Sequence, residues 1–240
     1  MSFTTKATIA SFGGTLLKLS HDAASTGTPM ALNLYLPPQA STTHKVPILF
    51  YLAGLTCTGD NGSEKGFFQH AASRKGIAIV YPDTSPRGLQ HPEEDASWDF
   101  GTGAGFYVDA TKAPWSTGYK MYSYITAELP RLLPSAFPQL DSTRYLKNPQ
   151  HYKSVSAFAP IANPSKCPWG QKAFGGYFGE DQAAHAKWAE HDATELVRSW
   201  DLKTDGPLKI LIDVGYDHSY YFMSSFADQH VEHAAKYLLA

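Results

Sequence analysis

Pro47-Ile48-Leu49-Phe50-Tyr51-Leu52 is a short apolar run, and it passes directly into the small-residue stretch Ala53-Gly54-Leu55-Thr56-Cys57-Thr58. A run this short and this apolar suits a strand buried on both faces of a largely parallel sheet, with a strand-to-helix turn behind it. Three further runs of the same kind follow: Gly76 to Tyr81, Ser154 to Ala159 and Leu208 to Val214. Helical patterns lie between and after them. Ser63 to Lys75 joins the first two strands. Tyr122 to Leu133 sets Ile125, Leu129, Leu132 and Leu133 on one face with a kink expected at Pro130, and Val231, Ala234, Ala235 and Leu238 repeat near the end. Ahead of all these, the alternating runs Thr15 to His21 and Met30 to Leu36 flank a turn-rich stretch and predict an antiparallel pair. Strand, helix, strand order predicts a doubly wound α/β sheet.

The 240 residues, 43% hydrophobic and 18% charged, fit one α/β domain over 1–240. Net charge is -2 with no basic run, so neither nucleic acid nor an anionic membrane is an expected partner. No stretch approaches the ~18 apolar residues of a bilayer span. The N-terminus Met1-Ser2-Phe3-Thr4-Thr5-Lys6 is polar, without the apolar region of a signal peptide. Cys57 and Cys167 make no disulfide framework, and a reducing, cytoplasmic setting is expected.

Several local patterns suggest chemistry without meeting its requirements. Gly101-Thr102-Gly103-Ala104-Gly105 lacks the third glycine of a dinucleotide loop, because position 106 is Phe, and no buried strand precedes it; a close-packed loop bearing aromatics is expected. His230, Glu232 and His233 do not match H-E-x-x-H and read as a solvated helix face, so no metal is expected. Ala53 to Thr58 can turn backbone N–H groups toward a developing oxyanion.

Longer strings are specific enough to point to a family. Leu55-Thr56-Cys57-Thr58, Pro82 to Gly88, Ser97-Trp98-Asp99-Phe100 running on to Thr111, Ser154 to Pro160, Cys167-Pro168-Trp169-Gly170 with Lys172-Ala173-Phe174, and Gly215 to Phe222 closely resemble S-formylglutathione hydrolase, or esterase D, in family order. The resemblance implies an α/β-hydrolase fold and a cytoplasmic serine hydrolase that needs no cofactor. Its small-molecule substrates are S-formylglutathione, cleaved to glutathione and formate in formaldehyde detoxification, and simple esters. Family members are commonly homodimers. His218 takes the place of the triad histidine, which accepts the serine proton and returns it to the leaving thiol. Leu55 lies in the loop that supplies an oxyanion donor. The family has a cysteine at Cys57 near the active site, where a small buried packing residue is an equal reading, and Trp98 and Trp169 lie in segments that shape the pocket or pack beside it.

Two blocks of the family pattern are missing. The nucleophile's Gly-His-Ser-Met-Gly-Gly turn belongs between the helix ending near Leu133 and the strand at Ser154, yet Tyr145 runs directly into Leu146, and no Gly-x-Ser-x-Gly occurs in the chain. The triad aspartate belongs beyond Leu208 to Val214, yet Val214 adjoins Gly215. Asp213 precedes the expected acid, and Asp217 adjoins His218, so neither is placed to orient it. Internal deletions near 145/146 and 214/215 are therefore expected, and with them an inactive and destabilised chain. Each buried backbone group orphaned by a lost central strand costs roughly 1–3 kcal/mol, against a net stability of about 5–15 kcal/mol. Two alternatives follow from the same gaps: a non-catalytic shortened form that binds a full-length partner, and substitute nucleophilic attack by Cys57.

Overall fold

A computed structural model of the chain describes residues 2–141, 154–203, 206–215 and 219–240. The chain opens with β1 (Thr4–Ser11), β2 (Gly14–Asp22) and β3 (Pro29–Leu36), a meander of antiparallel neighbours. The alternating runs predicted β2 and β3. β1 was not expected: it is an exposed edge strand with no apolar face to give it away.

β4 (Ile48–Phe50) and β5 (Ala78–Pro82) follow, separated by α1 (Gly59–Lys65) and α2 (Phe68–Lys75). The sheet order is β1-β2-β3-β5-β4, with β3 antiparallel and β4 parallel to β5. One helix over Ser63 to Lys75 was expected. The structure breaks it at Gly66-Phe67, where Phe67 has φ +58°, a left-handed conformation that no α-helix continues through. Thr58 and Asn61 cap α1 reciprocally, Asn61 Oδ1 accepting Thr58 N–H at 2.9 Å.

Both faces of β5 are buried, as its apolar run requires. Ala78 and Val80 pack toward α3 (Met121–Ser123), the π-helical turn Tyr124–Glu128 and α4 (Leu129–Ala136), which run on end to end. Ile79 and Tyr81 pack toward α2 and α8 (Tyr220–Leu238). The π turn sits just ahead of Pro130, with Leu129 N–H bonded to Tyr124 O five residues back. It relieves the register that a proline without an N–H disturbs, where a simple kink was expected.

β6 (Val155–Phe158) and β7 (Ile210–Asp213) pair in parallel as a separate two-stranded sheet. Both were expected to be buried on two faces, but the face toward α8 is only half-buried and the other is largely exposed. Val155, Ile210 and Ile212 are 50%, 41% and 52% exposed on the side away from α8. Between β6 and β7 lie α5 (Pro168–Tyr177), α6 (Gln182–Ala189) and α7 (Ala193–Arg198), which the sequence reading did not identify. α5 and α6 close over a third core of Trp115, Tyr119, Phe174, Tyr177 and Trp188.

Candidate active site

The turn after β4 carries Leu55, half-buried between β4 and α1. Its neighbours are committed: Thr56 N–H donates to Gly103 O at 2.8 Å and Cys57 N–H to Gly54 O at 3.2 Å. No described residue accepts the Leu55 N–H. Thr56 holds φ +63°, a strained conformation for a β-branched residue, fixed by its bond to Gly103. Among the described residues the Leu55 N–H, like those of Ala53 and Gly54, has no acceptor, so the turn presents uncommitted backbone donors in a framed loop, an arrangement that suits an oxyanion.

The glycine loop that resembled a nucleotide motif is the frame. Gly101 and Gly103 have φ +83° and +77°, and a Cβ on Gly101 would lie 2.1 Å from Glu94 O. Thr84 Oγ1 donates to Cys57 O at 2.6 Å and also lies 3.2 Å from Gly103 O, tying the two loops to the end of β5. Tyr107 Oη donates to Ala53 O at 2.8 Å. From the same loop, Phe106 meets the ring of Trp169 edge-on at 6.3 Å. Trp169, at the start of α5, lies 5.9 Å from Trp98, which is 69% exposed. The loop thus connects the turn after β4 on one side with the tryptophan pair on the other. Lys172, a turn beyond Trp169, forms an ion pair with Asp99.

Cys57 is half-buried, its Sγ 3.5 Å from the Tyr220 hydroxyl at the start of α8. Burial pushes the Tyr220 phenol well up, with the Cys57 and Tyr51 contacts adding to it. Burial likewise pushes Tyr51 up to about 12. Both phenols are therefore neutral hydrogen-bonding groups near neutral pH, and no described histidine touches the thiol. Tyr51, Tyr107 and Tyr220 were not singled out from the sequence, and no spacing in it marks them.

His218, Tyr216 and Asp217 lie outside the described residues, as do the Tyr145–Leu146 junction and the residues around it. Asp213 is the last residue of β7, and its Oδ2 is 2.8 Å from His230 Nε2. His230 corrects the expectation of a solvated face. It is 2% exposed and stacked on Phe158 at 3.7 Å, while Glu232 and His233 do face solvent. Desolvation holds the His230 pKa below the usual imidazole range, against the pull of Asp213. Among the described residues no group of His, Cys, Asp and Glu is assembled to hold a metal ion, and no helix is long and apolar enough to cross a membrane.

The comparisons with known proteins converge. A family model described as a putative esterase matches residues 23–225. S-formylglutathione hydrolase of Rattus norvegicus is 44% identical over 276 aligned positions, covering 95% of this chain and 96% of that protein. The chain belongs to the S-formylglutathione hydrolase family. The Arabidopsis thaliana member is 41% identical over 273 positions, again covering 95% of both chains. A solved S-formylglutathione hydrolase from Agrobacterium tumefaciens superposes with a TM-score of 0.86 at 36% identity, covering 99% of this chain and 100% of that one. The fold is that of an α/β hydrolase, and the family is one of esterases. The alignment with the rat protein runs over more positions than the 240 residues present here, so that relative carries residues with no counterpart in this chain.

Proposed function

We propose that the gene encodes an enzyme hydrolysing S-formylglutathione to glutathione and formate, and that this chain is a form of it lacking the nucleophile and acid segments. The observation that carries the activity is the 44% identity to the rat hydrolase across nearly the whole of both chains. In this reading the formyl carbonyl oxygen rests against the Leu55 N–H, which the turn leaves uncommitted. A serine on a strained strand-to-helix turn attacks the carbonyl carbon. His218 accepts the serine proton and delivers it to the glutathione thiolate as the C–S bond breaks. Water then attacks the formyl ester, with His218 accepting its proton, and formate leaves as the serine is re-protonated. The exposed Trp98 and its partner Trp169 offer an aromatic wall beside the acyl site, and Lys172 a cation for a carboxylate-bearing leaving group.

The absence of any Gly-x-Ser-x-Gly supports an inactive chain. Cys57 does not substitute in this reading, because its described polar partner is a neutral phenol and not a base. The purified chain is expected neither to hydrolyse p-nitrophenyl acetate nor to be labelled by a fluorophosphonate probe. A labelled serine mapped to this sequence would refute that. Restoring the family's residues at 145/146 and 214/215 is expected to restore thioester hydrolysis, and a restored chain that folds but remains inert would overturn the assigned activity. A small-molecule thioester is the whole requirement for turnover; a homodimer is compatible with the reading and the cytoplasm is its expected setting.

A further inference from the structure

An open groove lies beside the tryptophan pair, on α5 and α6. It has a volume of about 510 Å³ and is lined by Pro168, Gln171, Lys172, Glu180, His185 and Trp188. Pro168 and Lys172 stand on either side of Trp169 in the sequence, so the groove and the tryptophan wall share the first turns of α5. Lys172 also reaches back across that wall. Its ammonium is paired with Asp99 and lies 2.9 Å from Ser97 Oγ, and these two residues flank Trp98.

The groove holds two opposite charges that do not neutralise each other. Lys172 keeps about half of its side chain in solvent. It has three donors, of which Asp99 and Ser97 take two. Glu180 is exposed and has no hydrogen-bond or ion-pair partner among the described residues. Its carboxylate lies against α5, where a Cβ on Gly175 would stand 3.0 Å from Glu180 Oε1. Gly175 is three residues beyond Lys172, and positions at that helical spacing stand about 5–6 Å apart between Cβ atoms. The carboxylate and the ammonium therefore share one stretch of helix surface.

The other walls are ring surfaces. His185 lies 4.2 Å from Trp188, whose indole N–H is committed to Gly179 O at 3.1 Å, and Pro168 opens the helix. An anion and a cation this close, beside apolar surface, match the head of a free α-amino acid, which carries both charges on one carbon. Glutathione presents such a head on its γ-glutamyl residue, with two methylenes behind it.

We propose that this groove is the subsite for the γ-glutamyl head of the glutathione leaving group, with Glu180 accepting from its α-ammonium and Lys172 donating to its α-carboxylate. The inference rests on the thioester reading above and adds a charge rule to it. A glutathione thioester is held at both charges, whereas a simple ester reaches the acyl site without either. Pro168 and the His185 ring flank the glutamyl methylenes.

The test is glutathione binding by the purified chain, measured by calorimetry, beside two analogues that each lack one charge. Glutaryl-cysteinylglycine lacks the α-ammonium, and γ-aminobutyryl-cysteinylglycine lacks the α-carboxylate. Each is expected to bind about fivefold more weakly than glutathione, the size of one partly exposed charge pair. Glu180→Gln should weaken glutathione by a similar factor and leave the glutaryl analogue unchanged. Lys172→Met should weaken glutathione and leave the γ-aminobutyryl analogue unchanged. Equal affinity for all three ligands, or no binding of glutathione, overturns the proposal, as does a variant that weakens all three alike. If a variant does not fold, the analogues on the parent chain still decide. A restored chain that hydrolyses S-formylglutathione, beside binding that ignores both charges, would refute the subsite and keep the activity. An inert restored chain beside charge-dependent binding would do the reverse.

Discussion

β5 and β7 have similar compositions and opposite fates. Ala78 to Pro82 is buried throughout, flanked by β3 and β4 and covered by helices on both faces. Ile210 to Asp213 is just as apolar, yet Ile210 and Ile212 stand in solvent and only Leu211 and Asp213 face α8. An apolar strand is buried by its neighbours, and among the described residues β7 has only β6 beside it and α8 on one face. The five-stranded sheet closes its own core, whereas the β6–β7 ribbon is held to the body through α8, with Phe158 and His230 stacked and His230 bonded to Asp213.

The sharpest way to break this contrast is to truncate the same residue type in both regions. Ile79→Ala in β5 should cost about 2–5 kcal/mol in urea unfolding, while Ile212→Ala in β7 should fall within about 0.5 kcal/mol of the parent. Equal losses would mean that the ribbon is as well packed as the sheet. Next in size, His230→Ala removes the stack and leaves Asp213 without its partner. It should weaken the ribbon by roughly 1–3 kcal/mol, read as faster amide exchange at Ala157 and Leu211 with Ile79 unchanged. If Ile79 exchanges faster to the same extent, the two sheets unfold as one unit.

The smallest expected effect is of pH. His230 and His21 are buried, and desolvation depresses both pKa values in the folded chain. The unfolded chain therefore binds the proton more readily. Stability is fully present above the unfolded imidazole pKa, about 6.5, and is lost as pH falls through the lower folded values. Lowering the pH from 7 to 5 should reduce the thermal midpoint, and His230→Ala should show a shallower decline. A midpoint that rises over this window would contradict the direction of both shifts.

Much of the sheet was legible because its signals are local. The alternation of Thr15 to His21 and Met30 to Leu36 marks strands with one apolar face, and the run at Gly76 to Tyr81 marks a strand with two. α5 and α6 were missed because their inward residues join Trp115 and Tyr177 in an aromatic core drawn from distant segments, with no regular apolar repeat to announce it, and α7 because it buries no residue at all. His230 was misread for a related reason. Between Gln229 and Val231 it looks like any polar helix residue, and only the approach of Phe158 and Asp213 buries it. Within the candidate site, Leu55, Cys57 and Trp169 came from family strings, but the tyrosines that frame them came from none.

The amino-acid sequence alone determined the family and the lack of a Gly-x-Ser-x-Gly elbow, and it led to the expectations for Leu55 and His218, because each is written in a contiguous string of residues. The tertiary structure decided which apolar strands are covered, which histidine is buried and how the glycine loop ties Leu55 to the tryptophans. These depend on what the remote parts of the chain bring alongside a residue. A strand's own composition states what it could bury, but the presence of a neighbour to bury it is a property of the assembled sheet.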